Sequence, residues 1–350
     1  MKTWVLAQKD LRVYFRDRVG VLLGFGLPIA LCTVFAGAIY LRLDPRLMAT
    51  NFDSYDVLHY YLNAKYFPEL GYAGLYPACV TADHETGGPK FKEPTLYMEQ
   101  SLGEDVRLPF EQIFERGQQV KAQFSPERWA AFSHDFVYLQ RERGGMSNSL
   151  WIQMLQDHGY NGSPAWTAVA RPITSLVPVE WIKVLCSIDV LLLVLAIGAV
   201  VWAYGADTAL WTALFLFVTY SARWPVFSWA FLRYDYLFAL VAALCLLRRG
   251  RPGLAGVFAG AATALRVFPV AWCWGVAARW RPQLVRFAVG FAVAVAVLQG
   301  AAIVRWGPDP TVTWARNMLD QQRAQAHGEH LGGEPFAAAL EHERGKLERQ

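Results

Sequence analysis

Apolar residues in this chain gather into blocks instead of alternating with polar ones. Residues 19–40, 180–205, 209–222, 233–247, 254–278 and 287–304 carry few charges, and the long stretch between the first two is mostly polar. The first block, VGVLLGFGLPIALCTVFAGAIY, reaches the ~20 residues that a helix needs to cross a bilayer. It follows Lys2, Lys9, Arg12, Arg16 and Arg18. That combination predicts an uncleaved anchor with a cytoplasmic N-terminus, since the apolar core of a cleaved leader is only about 7 to 15 residues long. The pattern as a whole predicts an all-α integral membrane protein. It has about six apolar segments, one of them re-entrant in one reading, and a mostly helical external domain between the first and second. The divisions are a cytoplasmic amphipathic segment at 1–18, a first transmembrane helix at 19–42, an external domain at 43–179, a transmembrane bundle at 180–305 and an external polar tail at 306–350.

Local signals place helices within the external domain. Ser125-Pro126-Glu127 supplies an N-cap, a proline at the first helical position and an acid in the first turn, with Trp129, Phe132 and Phe136 on one face. Ser149 to His158 reads as another short helix stopped by Gly159. Block 254–278 raises a conflict of sides. A single outward crossing would leave Arg279, Arg281 and Arg286 outside, whereas Arg248, Arg249 and Arg251 mark the inner surface. Pro269 breaks a helix and biases the residue before it to extended backbone. Two half-helices of roughly 12 residues, about 18 Å each, would make a re-entrant hairpin with Arg266 at its tip and both arginine clusters inside. The other reading is an ordinary helix whose Arg266 snorkels to the interface. Gly256 and Gly260 form a GxxxG pair suited to close helix packing.

Composition agrees with a membrane protein: hydrophobic residues make up 54%, charged residues 18% and aromatics 14%. A net charge of +4 without a basic run gives no footprint for nucleic acid. Of the five cysteines, Cys32, Cys186, Cys245 and Cys273 lie in apolar segments as small hydrophobes, and Cys79 stands alone in a polar region. No disulfide framework or zinc spacing results. Asp83-His84-Glu85 and the HGEH of 327–330 are short groups in polar stretches, read as solvated before they are read as metal ligands. No GxxxxGK[ST] loop is present, so nucleotide hydrolysis within this chain is excluded. The residues name no cofactor, and they leave a divalent metal and the oligomeric state open.

The chemistry concentrates in FDSYDVLHYYLNAKYFPELGYAGLY, residues 52–76. On a helix over 53–66, Asp53, Asp56, His59 and Tyr60 share a face. An aspartate beside an imidazole at the mouth of a membrane cavity suits proton abstraction from a hydroxyl. An interfacial helix with an aromatic belt and water-facing acids accounts for the same residues. Arg233 and Asp235, in FLRYDYL, either line that cavity or form a structural pair. Asp189 and Lys183 sit near the outer end of their span or pair within the bundle.

An aspartate opening a long external loop, followed by Y-Y-x-x-A-K-Y-F-x-E-L-G-Y-x-x-L-Y, resembles the GT-C superfamily. These are membrane glycosyltransferases using polyprenyl-phosphate donors, and the likeness is strongest to the polyprenyl-phosphate-mannose-dependent branch. GRPGLAGVFAGAATALRVFPV, 250–270, is similar to that branch's A-G-x-x-x-G-x-A-x-x-x-K-x-x-P pattern, with Arg266 at the basic position and Pro269 at the proline. The resemblance covers roughly residues 50–305. It implies a catalytic aspartate in the first external loop, Asp56 first and Asp53 second, with Arg266 holding the donor phosphate and Arg233 and Asp235 lining the pocket. The partners implied are a polyprenyl-phosphate-linked sugar and the bilayer of the inner (plasma) membrane, crossed several times. Residues 9–37 instead resemble the N-terminus of ABC-type exporter permeases. A permease subunit and a truncated, non-catalytic membrane protein are therefore the alternative expectations.

Overall fold

The structure is a computed structural model that describes residues 26–41, 43, 52–87, 97–99, 106–142, 155, 160–219, 229–279 and 281–326. The expectations for residues 1–18, for most of the helix at 149–158 and for the HGEH stretch lie outside the described residues. Helices dominate, and a two-stranded antiparallel ribbon that the pattern did not predict joins β1 (Tyr97–Glu99) to β2 (Val106–Leu108).

The bundle contains α1 (Leu27–Tyr40), α9 (Ile182–Tyr204), α10 (Ala206–Val218), α11 (Asp235–Arg248), α12 (Pro252–Leu265), α13 (Cys273–Arg279) and α14 (Leu284–Trp306). Two described stretches, Val179–Tyr204 and Leu284–Trp306, are long and apolar enough to cross a bilayer; α1, α10 and α12 are shorter apolar helices. Gly205, at φ 96°, ends α9 and starts α10 in a conformation that favours glycine. Apolar side chains cover the outward faces of this bundle. Val34, Phe35, Phe215, Trp274, Val285 and Val304 are each at least 70% exposed, more apolar surface than water-facing helices carry.

Contacts fix the direction of each helix. Asp189 meets the start of α11 while the Arg249 guanidinium reaches the Trp202 carbonyl, so α9 and α11 run parallel. The hydroxyls of Tyr40 and Tyr234 lie 2.6 Å apart, bringing the end of α1 to the same level. α12 and α14 are also parallel. Gly290 lies on the Gly253 carbonyl, Gly256 on that of Phe287, and Gln299 Nε2 is 3.5 Å from the Ala264 carbonyl. A Cβ at Gly256 or Gly290 would collide with the opposing backbone, so glycine is what lets the two helices touch. For both to run the same way, the chain between them must return. It does so through a 3₁₀ segment, Phe268–Trp272, and α13, and Val276 ends among Leu247, Ala255 and Phe287. Arg251 and Arg286 thus flank the same end of the bundle, and Arg266 stands at the opposite end. This is the hairpin geometry of the two alternatives drawn from the sequence.

The other helices form a layer over the Arg266 end: α2 (Ser54–Val57), a π-helical turn (Leu58–Leu62), α3 (Asn63–Lys65), α4 (Phe67–Leu70), α5 (Leu75–Glu85), α6 (Phe110–Lys121), α7 (Pro126–Val137) and α8 (Pro164–Leu176). Ser125 caps α7 by accepting from Arg128 N at 3.3 Å, and Trp129, Phe132 and Phe136 are buried, as the sequence signals predict. This layer has its own aromatic core, with Tyr61, Tyr66, Phe132, Phe136, Tyr160 and Trp166 almost fully buried. Cys79, expected in a polar setting, is buried inside α5. The tail expected to be polar and separate begins with α15 (Asp309–Ala326), whose Trp314 donates from Nε1 to the Asn161 carbonyl at 3.1 Å.

Candidate active site

Asp53 and Asp56 have different tasks. Asp53 caps α2: its Oδ1 accepts from Asp56 N at 3.1 Å, and its carbonyl accepts from Val57 N at 2.8 Å. Asp56 lies on the helix itself, 4% exposed, and its Oδ1 is 3.1 Å from Arg233 Nε. Its Oδ2 is buried with no hydrogen-bond partner among the described residues. Burial raises the Asp56 carboxyl above its ordinary pKa, and the pull of Arg233, Arg266 and His59 in the other direction does not cancel it.

The π-helical turn then decides which side chains stay with Asp56. Widening the helix at 58–62 keeps Tyr60 beside Asp56, so that the Arg233 guanidinium meets Asp56 and also lies 4.8 Å from the Tyr60 ring centre. His59 turns to Tyr76, with Nε2 and the hydroxyl 2.7 Å apart. The Tyr60 hydroxyl donates to Asn161 Oδ1 at 2.5 Å.

Arg266 arrives from the bundle. α12 ends at Leu265, and Arg266 is extended at φ −142° and ψ 119°. Ser163 secures this break. Its hydroxyl caps α8 by accepting from Trp166 N at 3.0 Å and sits 2.9 Å from the Ala264 carbonyl and 3.1 Å from that of Leu265. Arg266 Nη1 lies 3.4 Å from the Tyr60 hydroxyl, and the guanidinium stands 5.2 Å from the Tyr60 ring centre and 5.7 Å from that of Trp166. Its Nε and Nη2 are buried and have no partner among the described residues. Tyr60 is therefore flanked by two guanidiniums, one holding Asp56 and one with donors to spare.

All seven residues singled out in the sequence fall near one another. Arg233 Nε pairs with Asp56, while Asp235 accepts from Tyr236 N at 2.6 Å in the first turn of α11 and stands within electrostatic reach of both Arg266 and Arg233. The sequence did not point to Asn161, Trp166, Tyr76 or Ser163, which are ordinary polar and aromatic residues without a motif. Among the described residues no group of three or more His, Cys, Asp or Glu is placed to hold a metal ion. Glu85, from the Asp83-His84-Glu85 group, is taken by Lys121 at 2.6 Å and Trp129 at 2.9 Å. A groove of about 870 Å³ beside α5 and α6 is lined by Gln112, Arg116 and Gln119, and by none of the seven.

A helical bundle with long apolar spans is closed at one end by a layer that brings a buried carboxylate together with two guanidiniums. The family model described as glycosyltransferase family 87 matches residues 150–342, more than half of the chain, and the chain belongs to that family of glycosyltransferases. The match includes Arg233, Asp235 and Arg266, and it begins after Asp56. No curated protein and no solved structure matches the chain.

Proposed function

We propose that this chain is a multi-spanning inner-membrane glycosyltransferase of GT-C type that moves a hexose from a polyprenyl-phosphate donor to an acceptor hydroxyl on the outer face. The observation that carries this reading is the convergence of two incomplete groups beside Tyr60. Asp56 Oδ2 has a lone pair to offer, and Arg266 Nε and Nη2 have hydrogens to offer. A buried charged atom without a partner is costly, and a substrate that supplies the partner removes that cost. Arginine suits a phosphate because its planar fork donates two parallel hydrogen bonds.

In the proposed reaction Arg266 holds the donor's phosphate and Tyr60 stacks between the two guanidiniums. Asp56 takes the proton of the acceptor hydroxyl as its oxygen attacks the anomeric carbon. The bond from that carbon to the phosphate oxygen breaks, its electron pair leaves with polyprenyl phosphate, and the configuration inverts. Asp56 is preferred to Asp53 because Asp53 is occupied as a helix cap. The raised Asp56 pKa makes it a stronger base than a water-exposed aspartate. The apolar spans and exposed apolar faces favour a bilayer setting, where the lipid part of the donor dissolves. Arg251 and Arg286 at the end away from Asp56 favour an orientation with that end in the cytoplasm.

The test reconstitutes the full chain in vesicles with radiolabelled polyprenyl-phosphate hexoses and follows label into acceptor. Transfer by the wild type and its loss in Asp56→Asn, with folding intact, is expected. Undiminished transfer by Asp56→Asn would sink the assignment of the base.

A further inference from the structure

Asp189 is a fully buried acid in the first half of a mostly apolar helix, and the proposed reaction does not use it. Its partners are backbone groups 44 and 45 residues away: Oδ1 accepts from Arg233 N at 2.9 Å and Tyr234 N at 3.0 Å, and Oδ2 is 3.1 Å from Arg233 N. Those two N–H groups open α11 and have no partner within that helix. The turn they belong to is under strain, because Leu232 has φ 51°, a left-handed conformation that a branched residue rarely adopts. Three further hydrogen bonds hold the same turn. Asp53 N donates to the Trp229 carbonyl at 3.2 Å, Trp166 Nε1 to that of Leu232 at 3.4 Å, and Tyr234 meets Tyr40. What this fixed backbone presents is the Arg233 side chain, whose Nε meets Asp56.

We propose that Asp189 is a positioning residue for the transfer reaction: by clamping the backbone of Arg233 it sets where that guanidinium stands against Asp56. The inference rests on the role given to Asp56 above. Without the clamp, the start of α11 loses the acceptor for its first two N–H groups, the strained Leu232 turn relaxes, and Arg233 no longer meets Asp56 in one geometry. A carboxylate suits the task better than an amide because it offers acceptor oxygens to both amides and no donor. Asp56 is faced by Arg233 from the turn, Arg266 from the α12 break, His59 and Asp53 from its own segment, and Asp189 from α9.

The experiment is a cycle of four full-length proteins in detergent: wild type, Asp189→Asn, Arg233→Met and the double variant. Turnover per folded molecule is followed across pH. Positioning through Arg233 predicts that Asp189→Asn lowers kcat several-fold and displaces the acid limb, with donor KM within twofold. It also predicts that the same change in Arg233→Met moves neither kcat nor the limb further. A through-space effect of the Asp189 charge would instead move the limb to lower pH in both backgrounds. A purely structural role would lower the yield of folded protein and move no limb. Either result overturns the proposal. Asp56→Asn, run alongside, separates the two failures. If it keeps full turnover, the reaction and the inference fall together; if it is dead while the cycle is additive, only the inference falls.

Discussion

Two buried charge clusters grow from one short run of chain, residues 53–66, and they are built to opposite plans. In the first, Lys65 Nζ lies 2.6 Å from Asp135 Oδ2 and 3.1 Å from the Tyr61 hydroxyl, and the Tyr66 hydroxyl donates to the same carboxylate at 2.9 Å. Arg128 adds a pair with Glu69 at 2.8 Å beside it. This cluster closes on itself and ties α7 to α3. In the second, Asp56 and Arg266 each keep buried atoms without a partner among the described residues. A complete network holds a fold together, whereas an incomplete one marks a place where something else is to bind. Burial alone does not separate structure from function here, because Asp56 and Asp135 are equally hidden at 4% exposure.

The sharpest way to break this contrast is to neutralise one acid of each kind. Asp56→Asn should lower kcat by about 10²- to 10⁴-fold, the range for loss of a positioned base, with little change in thermal unfolding. Lys65→Met should do the reverse. Removing one partner of a buried pair costs about 3–5 kcal/mol, visible in denaturation of the purified protein, while turnover per folded molecule stays as it was. Arg266→Lys keeps the charge and loses the fork. Charged hydrogen bonds of about 1.5–3 kcal/mol translate into a donor KM roughly 10- to 100-fold higher, measured by titrating the lipid donor.

The pH profile sharpens the same comparison with a smaller effect. A base must be ionised to work, so activity should fall as pH drops through the Asp56 pKa. Because burial raises that pKa, the acid limb should lie above the ordinary aspartate value of about 4. The same shift acts against folding. A carboxyl that holds its proton more tightly when folded stabilises the protein at low pH, and that contribution is lost as pH rises through the raised value. Ser125→Ala should give the smallest change, about 1 kcal/mol of stability from a lost cap, read as a lower unfolding temperature with kcat intact.

Much of this was legible in the sequence. Helices announced themselves where strong local signals agreed, as at Ser125-Pro126-Glu127, where cap, proline and apolar face came out together. Boundaries moved by a few residues, from 287–304 to Leu284–Trp306 and from 209–222 to Ala206–Val218, because apolar content does not record where a helix is capped. Arg266 could be singled out because a charge inside an apolar block is expensive and asks for a reason, and Asp56 because it shares a helix face with His59 and Tyr60 and opens the external loop as the resemblance implies. Their meeting was implied by the resemblance alone, and the means of it could not be read: Ser163 holding the α12 break is a contact about a hundred residues apart, and the π-helical turn is a local widening without a sequence code. Arg233 illustrates the limit best: Asp235 is its neighbour in sequence, whereas its ion pair with Asp56 joins residues far apart in the chain. The clamp by Asp189 was missed for the same reason, because its acceptors serve backbone amides, which every residue but proline has.

The return of the chain between α12 and α14 has a consequence for sidedness. In the proposed multi-spanning arrangement, a stretch that enters and leaves by the same face reads as one apolar block, 254–278, yet brings no change of compartment. Anyone tallying greasy stretches would assign the wrong side to everything after Arg266, including α15. A reporter fused after residue 326 should therefore share its compartment with one inserted into the layer that holds Asp56.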